Sequence, residues 1–219
     1  MLIISKKIKM NNKKDKRKAP RSIIYCIVEG MKNTTEAKLL RGLSSEQQKY
    51  CFKVVQSHPD VVHMYETAVS KVRLCQKQDF VVILLDSDPI TNPKRIPEIV
   101  CTNGKKKEDK IHFYVSDPCI ENFLLSYFRV AAKEENSQKM IKLLSKYISH
   151  YEKCENFDFY QKLPKKDACA DHEKAINNYR SGIGERPYPT IADFLELVFC
   201  PEKKDQSNQR KERCSKSDC

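Results

Sequence analysis

Residues 80–88 read FVVILLDSD, six apolar residues that run directly into an Asp-Ser-Asp sequence. A continuous apolar run of this length, rich in β-branched residues, predicts a strand buried on both faces, as in a parallel sheet. Similar runs predict strands over 22–28 (SIIYCIV), 50–56 (YCFKVVQ) and 111–115 (IHFYV). The first of these ends in Glu29-Gly30, so two of the four predicted strands are followed at once by acidic residues.

Helical patterns separate and follow the predicted strands. Apolar residues recur at helical spacing from Thr34 or Thr35 to Leu43, over 60–77 and over 119–130. Strands that alternate with helices predict a mainly parallel sheet flanked by helices, which is an α/β fold. Beyond residue 130 only helices are predicted, over 138–151, 168–179 and 191–199, with a Gly/Pro loop at 181–189. Thr190 and Asp193 resemble a capping box for the last of them.

Most of the positive charge lies at one end of the chain. The 219 residues carry a formal charge of +12, and residues 1–21 alone hold nine Lys or Arg and one Asp. Such blocks of like charge stay solvated and often contact nucleic acid, although a plain solubilising tail is equally compatible with the pattern. We therefore predict four regions: a disordered basic tail (1–21), an α/β core (22–133), a helical C-terminal extension (134–200) and a disordered polar tail (201–219).

Composition excludes several classes of protein. No apolar run approaches the roughly 20 residues that span a bilayer, and the N-terminus has its apolar and basic segments in the reverse order of a secretory signal. We expect a cytoplasmic protein without a membrane partner, whose ten scattered cysteines are reduced and mostly buried. The pairs His150/Cys154 and Cys169/His172 have spacings compatible with zinc, but chance placement is the favoured explanation.

The acids that follow the predicted strands form the most informative pattern. In an open parallel sheet, ligands bind beyond the carboxyl ends of the strands, where Glu29, Asp86 and Asp88 are expected. Converging carboxylates are tolerable when a hard cation neutralises them, and oxygen ligands suit Mg²⁺ or Mn²⁺. Glu121 and Glu36, each near the start of a predicted helix, are candidates for further ligands. Singly, each of these acids is more often a turn residue or a helix cap, and only their joint placement favours a metal site.

Three motifs of the chain resemble those of a known family. They are Val28-Glu29-Gly30 with Thr35-Glu36, Asp86-Ser87-Asp88, and the segment 116–127 (SDPCIENFLLSY). Together they resemble the signatures of a Toprim domain, the metal-dependent module of topoisomerases and bacterial primases, and most closely its RloB-like (AbiLii-like) branch. The resemblance covers roughly residues 17–200 and extends to PYPTIADFLELV near the end.

The sequence also departs from the usual pattern of the branch. Asp117 replaces an Asn, Ile120 replaces an aromatic residue, and Tyr127 stands where His is common. The loop between Gly30 and Thr35 is longer than usual, which weakens the case for Glu36 as a ligand. None of these changes removes a carboxylate, so the implied metal site is retained.

The resemblance implies a Toprim-like fold and Mg²⁺- or Mn²⁺-dependent cleavage of nucleic acid. It implies that Asp86 and Asp88 hold the metal and that Glu29 is a general acid/base or a further ligand. Glu121, with Glu36, is the candidate set for a second metal position. Four basic residues are candidate contacts to the nucleic-acid backbone, although a solvated charged loop is the simpler explanation: Arg95, Lys105, Lys106 and Lys107.

The family setting implies partners as well. RloB-like proteins resemble the effector half of antiphage or abortive-infection pairs whose other half is an AAA-type ATPase. The substrate is then DNA or RNA, including tRNA, and a homo-oligomer is compatible with the pattern. The alternative is a non-catalytic nucleic-acid-binding or interaction protein that retains the fold and binds through its basic tail.

Overall fold

A computed structural model describes residues 21–30, 34–46, 49–87, 109–132, 136–149, 151, 159–164, 168–186 and 188–199. The side chains of residues 159, 168 and 169 are not described. None of the helices within these ranges combines the length and the apolar character that a bilayer crossing requires.

Four parallel strands form one sheet. Their bounds are β1 Ser22–Glu29, β2 Tyr50–Ser57, β3 Phe80–Asp86 and β4 Ile111–Ser116, in the order β2-β1-β3-β4. All four strands are found where the apolar runs predicted them, each one residue longer at its end. The parallel sheet and its flanking helices confirm the expected α/β, Toprim-like fold class.

Six α-helices surround the sheet within the described residues. Their bounds are α1 Thr35–Glu46, α2 Val61–Val72, α3 Ile120–Leu125, α4 Ser137–Leu144, α5 Ala168–Ile183 and α6 Ile191–Phe199. A 3₁₀ helix, Phe159–Lys162, precedes α5. Thr34 caps α1 by accepting a hydrogen bond from Ala37 N at 3.4 Å. The predicted cap of α6 is also formed, because Thr190 N and Oγ1 both donate to Asp193 Oδ2, at 2.6 and 2.9 Å.

Three helices are shorter than the predictions, and two are longer, since α1 continues past the predicted end at Leu43 to Glu46. The helix predicted over 60–77 ends at Val72, because the chain turns there through i→i−3 bonds and leaves Leu74 60% exposed. The helix predicted over 119–130 ends at Leu125 in similar turns, and the one over 138–151 ends at Leu144. Conversely, α5 continues to Ile183, into the predicted loop, and stops before Gly184, which has φ +71°.

One face of the sheet packs against α1 and the helices after β4, and the other packs against α2. Ile24, Cys26 and Val28 of β1 belong to a core shared with α1 and with the helices after β4, whereas Tyr25 and Ile27 pack towards α2. The same alternation in β3 buries Val82 and Leu84 on one face and Val81, Ile83 and Leu85 on the other. The two central strands are therefore buried on both faces, as their uninterrupted apolar runs predicted.

The helical extension packs directly on the sheet. Tyr179 of α5 and Phe194 of α6 are fully buried in the same core as β1 and β3. The backbone before α6 also pairs with the end of β4, where Val115 N donates to Pro189 O at 3.0 Å. This pairing brings the segment before α6 next to the carboxyl edge of the sheet. The predicted domain boundaries remain predictions, and apart from Arg21 both predicted tails lie outside the described residues.

Candidate functional site at the carboxyl edge of the sheet

The strand order creates a crevice between the ends of β1 and β3. These strands are neighbours, but the chain continues from β1 to β2 on one side and from β3 to β4 on the other. In open parallel sheets, ligands bind at such a switch point, beyond the carboxyl ends of the strands. Glu29 is the last residue of β1 and Asp86 the last of β3, so two of the predicted site residues lie at this point.

Asp86 is half-buried and is joined to α3. Its Oδ1 accepts a hydrogen bond from Ile120 N, the first amide of that helix, at 3.1 Å. Cys119 occupies the N-cap position of α3, but its side chain makes no capping hydrogen bond. Asp86 therefore satisfies a helix amide that would otherwise lack an acceptor, and the contact orients its carboxylate.

Glu29 is exposed at the end of the neighbouring strand. Its carboxylate forms no hydrogen bond or ion pair with any residue that the structure describes. Gly30 follows with φ +88°, a conformation that favours glycine, and Gly30 N donates to Ser57 O at 3.0 Å. This turn takes the backbone away from β1 and leaves the Glu29 carboxylate accessible to solvent.

Glu121 occupies the first turn of α3 and is completely buried. Its Oε1 accepts hydrogen bonds from Tyr151 Oη at 3.0 Å and Thr35 Oγ1 at 3.4 Å, and those two hydroxyls are 3.1 Å apart. Burial raises the pKa of Tyr151, and the Glu121 carboxylate raises it further, so Tyr151 stays protonated and donates. Glu36, at the start of α1, is buried and also raises the pKa of Tyr151.

Asp86 and Glu121 both affect the thiol of Cys119, the N-cap residue of α3. Burial raises the pKa of the Cys119 thiol, and the Glu121 and Asp86 carboxylates raise it further. Cys119 is therefore a protonated thiol at neutral pH and not a reactive thiolate. Three predicted acids, Asp86, Glu121 and Glu36, thus lie near the first turns of α1 and α3, with Glu29 at the adjacent strand end.

A complete metal centre is not formed by the described residues. Within those ranges, no group of three or more His, Cys, Asp and Glu residues is arranged to hold a metal ion. The donors at the edge are carboxylate oxygens, which is the ligand type that Mg²⁺ and Mn²⁺ require. Asp88, needed to complete the predicted set, lies outside the described residues, and so do the predicted nucleic-acid contacts Arg95, Lys105, Lys106 and Lys107.

Asp117 lies at the centre of a hydrogen-bond cluster that the sequence did not predict. Ser87 Oγ donates to its Oδ1 at 3.2 Å, and Tyr188 Oη and Arg186 Nε donate to its Oδ2, the former at 3.2 Å. Its backbone N donates to Tyr179 Oη at 2.6 Å. Burial raises the pKa of Tyr188 to about 12, and Asp117 contributes to the shift, so this phenol remains a donor at neutral pH.

The Asp117 cluster joins the carboxyl edge of the sheet, where the candidate metal ligands lie, to the segment before α6. Ser87 is the residue between Asp86 and Asp88, while Arg186 and Tyr188 belong to the segment between α5 and α6. The available sequence signal was that Asp117 departs from the family pattern at a position next to the predicted site. That signal did not identify Arg186 or Tyr188 as its partners, since they are 69 and 71 residues away.

A second buried cluster surrounds His172. Its Nδ1 is 2.6 Å from Tyr127 Oη, and its Nε2 is 2.9 Å from Glu46 Oε2. Both ring nitrogens are therefore engaged by protein groups. Of the alternative zinc pairs, His150, Cys154 and the side chain of Cys169 lie outside the described part of the chain. This cluster connects α1 and α5 to the turns that follow α3.

Comparison with known proteins gives one match. The family model described as "RloB-like protein" matches residues 24–196, which is most of the chain. Searches of curated proteins and of solved structures found no significant match.

Proposed function

The chain belongs to the RloB-like family, and on that premise we propose that it is a metal-dependent nuclease of the Toprim type that cleaves phosphodiester bonds in nucleic acid. The observation that carries the proposal is the position of Glu29 and Asp86, which end neighbouring parallel strands at the switch point of the sheet. This is where an α/β sheet binds its ligand. The carboxylates there match the oxygen ligands of Mg²⁺ or Mn²⁺.

The acidic residues have separate roles in this proposal. Asp86 and Asp88 hold the cation, and the hydrogen bond from Ile120 N keeps the Asp86 carboxylate oriented. A bound cation would polarise a phosphoryl oxygen of the substrate and lower the pKa of a bound water molecule. Glu29, exposed at the end of the strand next to that of Asp86, would accept the proton of the attacking water or complete the ligand set.

Glu121 and Glu36 have two possible roles within the same proposal. They are the candidate ligands of a second cation. The burial of Glu121 and its hydrogen bonds from Thr35 and Tyr151 favour a positioning role instead. They attach α3, and with it the amide that holds Asp86, to α1 and to the chain after α4. A Glu121→Gln variant separates these roles. It keeps an acceptor for both hydroxyls, so it preserves the positioning role but weakens a second cation site.

The proposal is tested by cleavage assays on matched variants. Purified wild-type protein, Glu29→Gln and Asp86→Asn are incubated with DNA, RNA and tRNA in Mg²⁺, Mn²⁺ or EDTA. Asp109→Asn is the control, because Asp109 is an exposed acid just before β4, at the opposite edge of the sheet. We expect cation-dependent cleavage that falls about 100-fold or more in the two site variants and is unchanged in the control. Equal activity of Glu29→Gln and wild type would refute the role of Glu29.

The family premise also supports a partner. We propose that the protein acts in the cytoplasm as the effector of an antiphage or abortive-infection pair, and that an AAA-type ATPase activates it. The cleavage assay is therefore run with and without the product of a neighbouring ATPase gene. Self-association is measured at the same time by light scattering, because a homo-oligomer is compatible with the proposal.

The second candidate function is a non-catalytic nucleic-acid-binding protein. The observation in its favour is the formal charge of +12, most of which lies in residues 1–21. It predicts no heat of binding for Mn²⁺ and a salt-sensitive affinity for DNA that is lost when residues 1–21 are deleted. The nuclease proposal predicts that Mn²⁺ binds and that Asp86→Asn weakens this binding.

A further inference from the structure

A cleft of about 530 Å³ lies between the end of α5 and the start of α6, beside the carboxyl edge of the sheet. Its lining includes two arginines, Arg180 and Arg186, together with Tyr188, Glu185 and Asp193. The cleft shares Arg186 and Tyr188 with the Asp117 cluster, which also holds Ser87. A ligand in this cleft is therefore adjacent to the residue that separates Asp86 from Asp88.

The two arginines of the cleft differ in how they are held. Arg180 is fixed by two acids, because it donates to Asp193 Oδ1 at 2.7 Å and to both carboxylate oxygens of Glu196, at 3.2 and 2.8 Å. Arg186 is bound through its Nε to Asp117. Among the described residues, nothing accepts a hydrogen bond from either terminal nitrogen of Arg186, and its side chain is 32% exposed.

This arrangement orients the Arg186 guanidinium and leaves its two terminal nitrogens available to donate hydrogen bonds to a ligand. The Asp117 carboxylate restrains Arg186 at Nε, and Asp117 itself is held by Ser87, Tyr188 and the backbone contact to Tyr179. Two NH₂ groups in a fixed plane match the spacing of two phosphate oxygens, which lysine cannot imitate. A guanidinium that is already oriented also loses little side-chain entropy when it binds.

We propose that Arg186 binds a backbone phosphate of nucleic acid in this cleft and so positions the substrate beside Asp86 at the carboxyl edge of the sheet. The inference rests on the proposed function for the choice of ligand and names where that ligand is held. Arg186 acts as a substrate-positioning residue, and the phosphate that it holds flanks the bond to be cleaved.

The test measures binding without cleavage. Full-length protein in EDTA is titrated against fluorescein-labelled single-stranded DNA and RNA of one sequence, at several salt concentrations, with anisotropy as the readout. Arg186→Ala should lower affinity about tenfold and reduce the slope of log K against log salt by about one, the signature of one lost phosphate contact. Arg186→Lys should keep the slope and lose part of the affinity. The DNA and RNA arms show which sugar the cleft accepts.

Arg73→Ala is the matched control. Arg73 is an exposed arginine after α2, and the end of that helix lies at the edge of the sheet opposite the cleft. We expect its affinity and its salt slope to equal those of wild type, and thermal melts verify that all variants are folded. The inference is overturned if Arg186→Ala binds like wild type, if Arg73→Ala loses as much affinity, or if the wild type binds neither strand.

The outcomes also separate this inference from the proposed nuclease activity. Cleavage that depends on Asp86, with Arg186→Ala binding like wild type, removes the role of Arg186 and leaves the nuclease proposal intact. If binding depends on Arg186 but no cleavage occurs under any condition, the role of Arg186 in phosphate binding is supported and the nuclease proposal is refuted.

Discussion

The contact between α5 and the chain after α3 predicts that Gly182→Ala destabilises the protein. Gly182 lies in the last turn of α5, where alanine normally stabilises a helix by about 1 kcal/mol over glycine. A Cβ at this position would lie 2.2 Å from Ala131 O and 2.6 Å from Ala131 C. The atoms that clash belong to the backbone, so a change of rotamer cannot relieve the contact.

The expected loss of stability depends on how far the backbone at Ala131 must move to accommodate the new Cβ. A carbon and an oxygen need about 1 Å more than this separation, so the backbone at Ala131 has to shift. That backbone is tied to its surroundings, because Ala131 N donates to Asn178 O at 3.2 Å and Ala132 exchanges two hydrogen bonds with the side chain of Asn122. Overpacking costs about 1–3 kcal/mol, and the strained hydrogen bonds add about 1 kcal/mol.

The higher helix propensity of alanine and the clash with Ala131 have opposite effects on stability, and the effect of the clash is larger. The net expected loss in free energy of unfolding is about 2 kcal/mol, equivalent to a decrease in Tm of about 4–8 °C for a chain of this size. Urea denaturation followed by circular dichroism measures it. Ser181→Ala, an exposed position in the same turn, is the control for helix propensity and should change stability by less than about 0.5 kcal/mol. A Gly182→Ala variant at least as stable as wild type would show that α5 does not pack against Ala131.

Two further predictions concern single polar groups. Tyr179→Phe keeps the buried ring but removes the acceptor of the 2.6 Å hydrogen bond from Asp117 N, so urea denaturation should show a loss of about 1–2 kcal/mol. Burial alone would raise the pKa of Asp193, but hydrogen bonds from Thr190 and Arg180 hold the pKa below its ordinary value of 3.8. The stability that the Asp193 carboxylate contributes is therefore present above pH 3.8 and is lost as pH falls through the lowered pKa. Plots of unfolding free energy against pH for wild type and Asp193→Asn should converge in acid. Parallel plots between about pH 5 and 2 would contradict this.

The sheet was predictable because its signal is local. A strand buried on both faces needs apolar residues throughout, and 80–85 and 22–28 supply them without interruption. Helix ends were less predictable. At Leu125 and Leu144 the apolar spacing continues past the last helical residue, because i→i−3 turns bury side chains on nearly the same period. Tyr127 and Ile148 are buried in this way although neither is in a helix.

The site was predictable only where it follows the strands. Glu29 and Asp86 were placed correctly at the carboxyl edge because parallel strands bring their ends to one side of the sheet. The burial of Glu121 was not predicted, because it depends on hydroxyls from Thr35 and Tyr151, in two other parts of the chain. Hydrogen bonds between distant segments leave no periodic trace in a sequence.

Charge shows why those distant contacts matter for the proposed binding of nucleic acid. Of the formal charge of +12, residues 1–21 carry +8, and the folded part therefore has little excess positive charge with which to attract a polyanion. Within the cleft, Arg180 is held by two acids and Arg186 by one, so net attraction there is weak as well. What the cleft offers is orientation, because Asp117 fixes one side of the Arg186 guanidinium and leaves the other for a ligand. Binding through the basic tail would add salt-dependent affinity but would not fix where along the nucleic acid cleavage occurs. Binding of a phosphate in the cleft would fix that position. Deletion of residues 1–21 should therefore weaken binding without moving the position of cleavage, whereas Arg186→Ala should make that position less uniform.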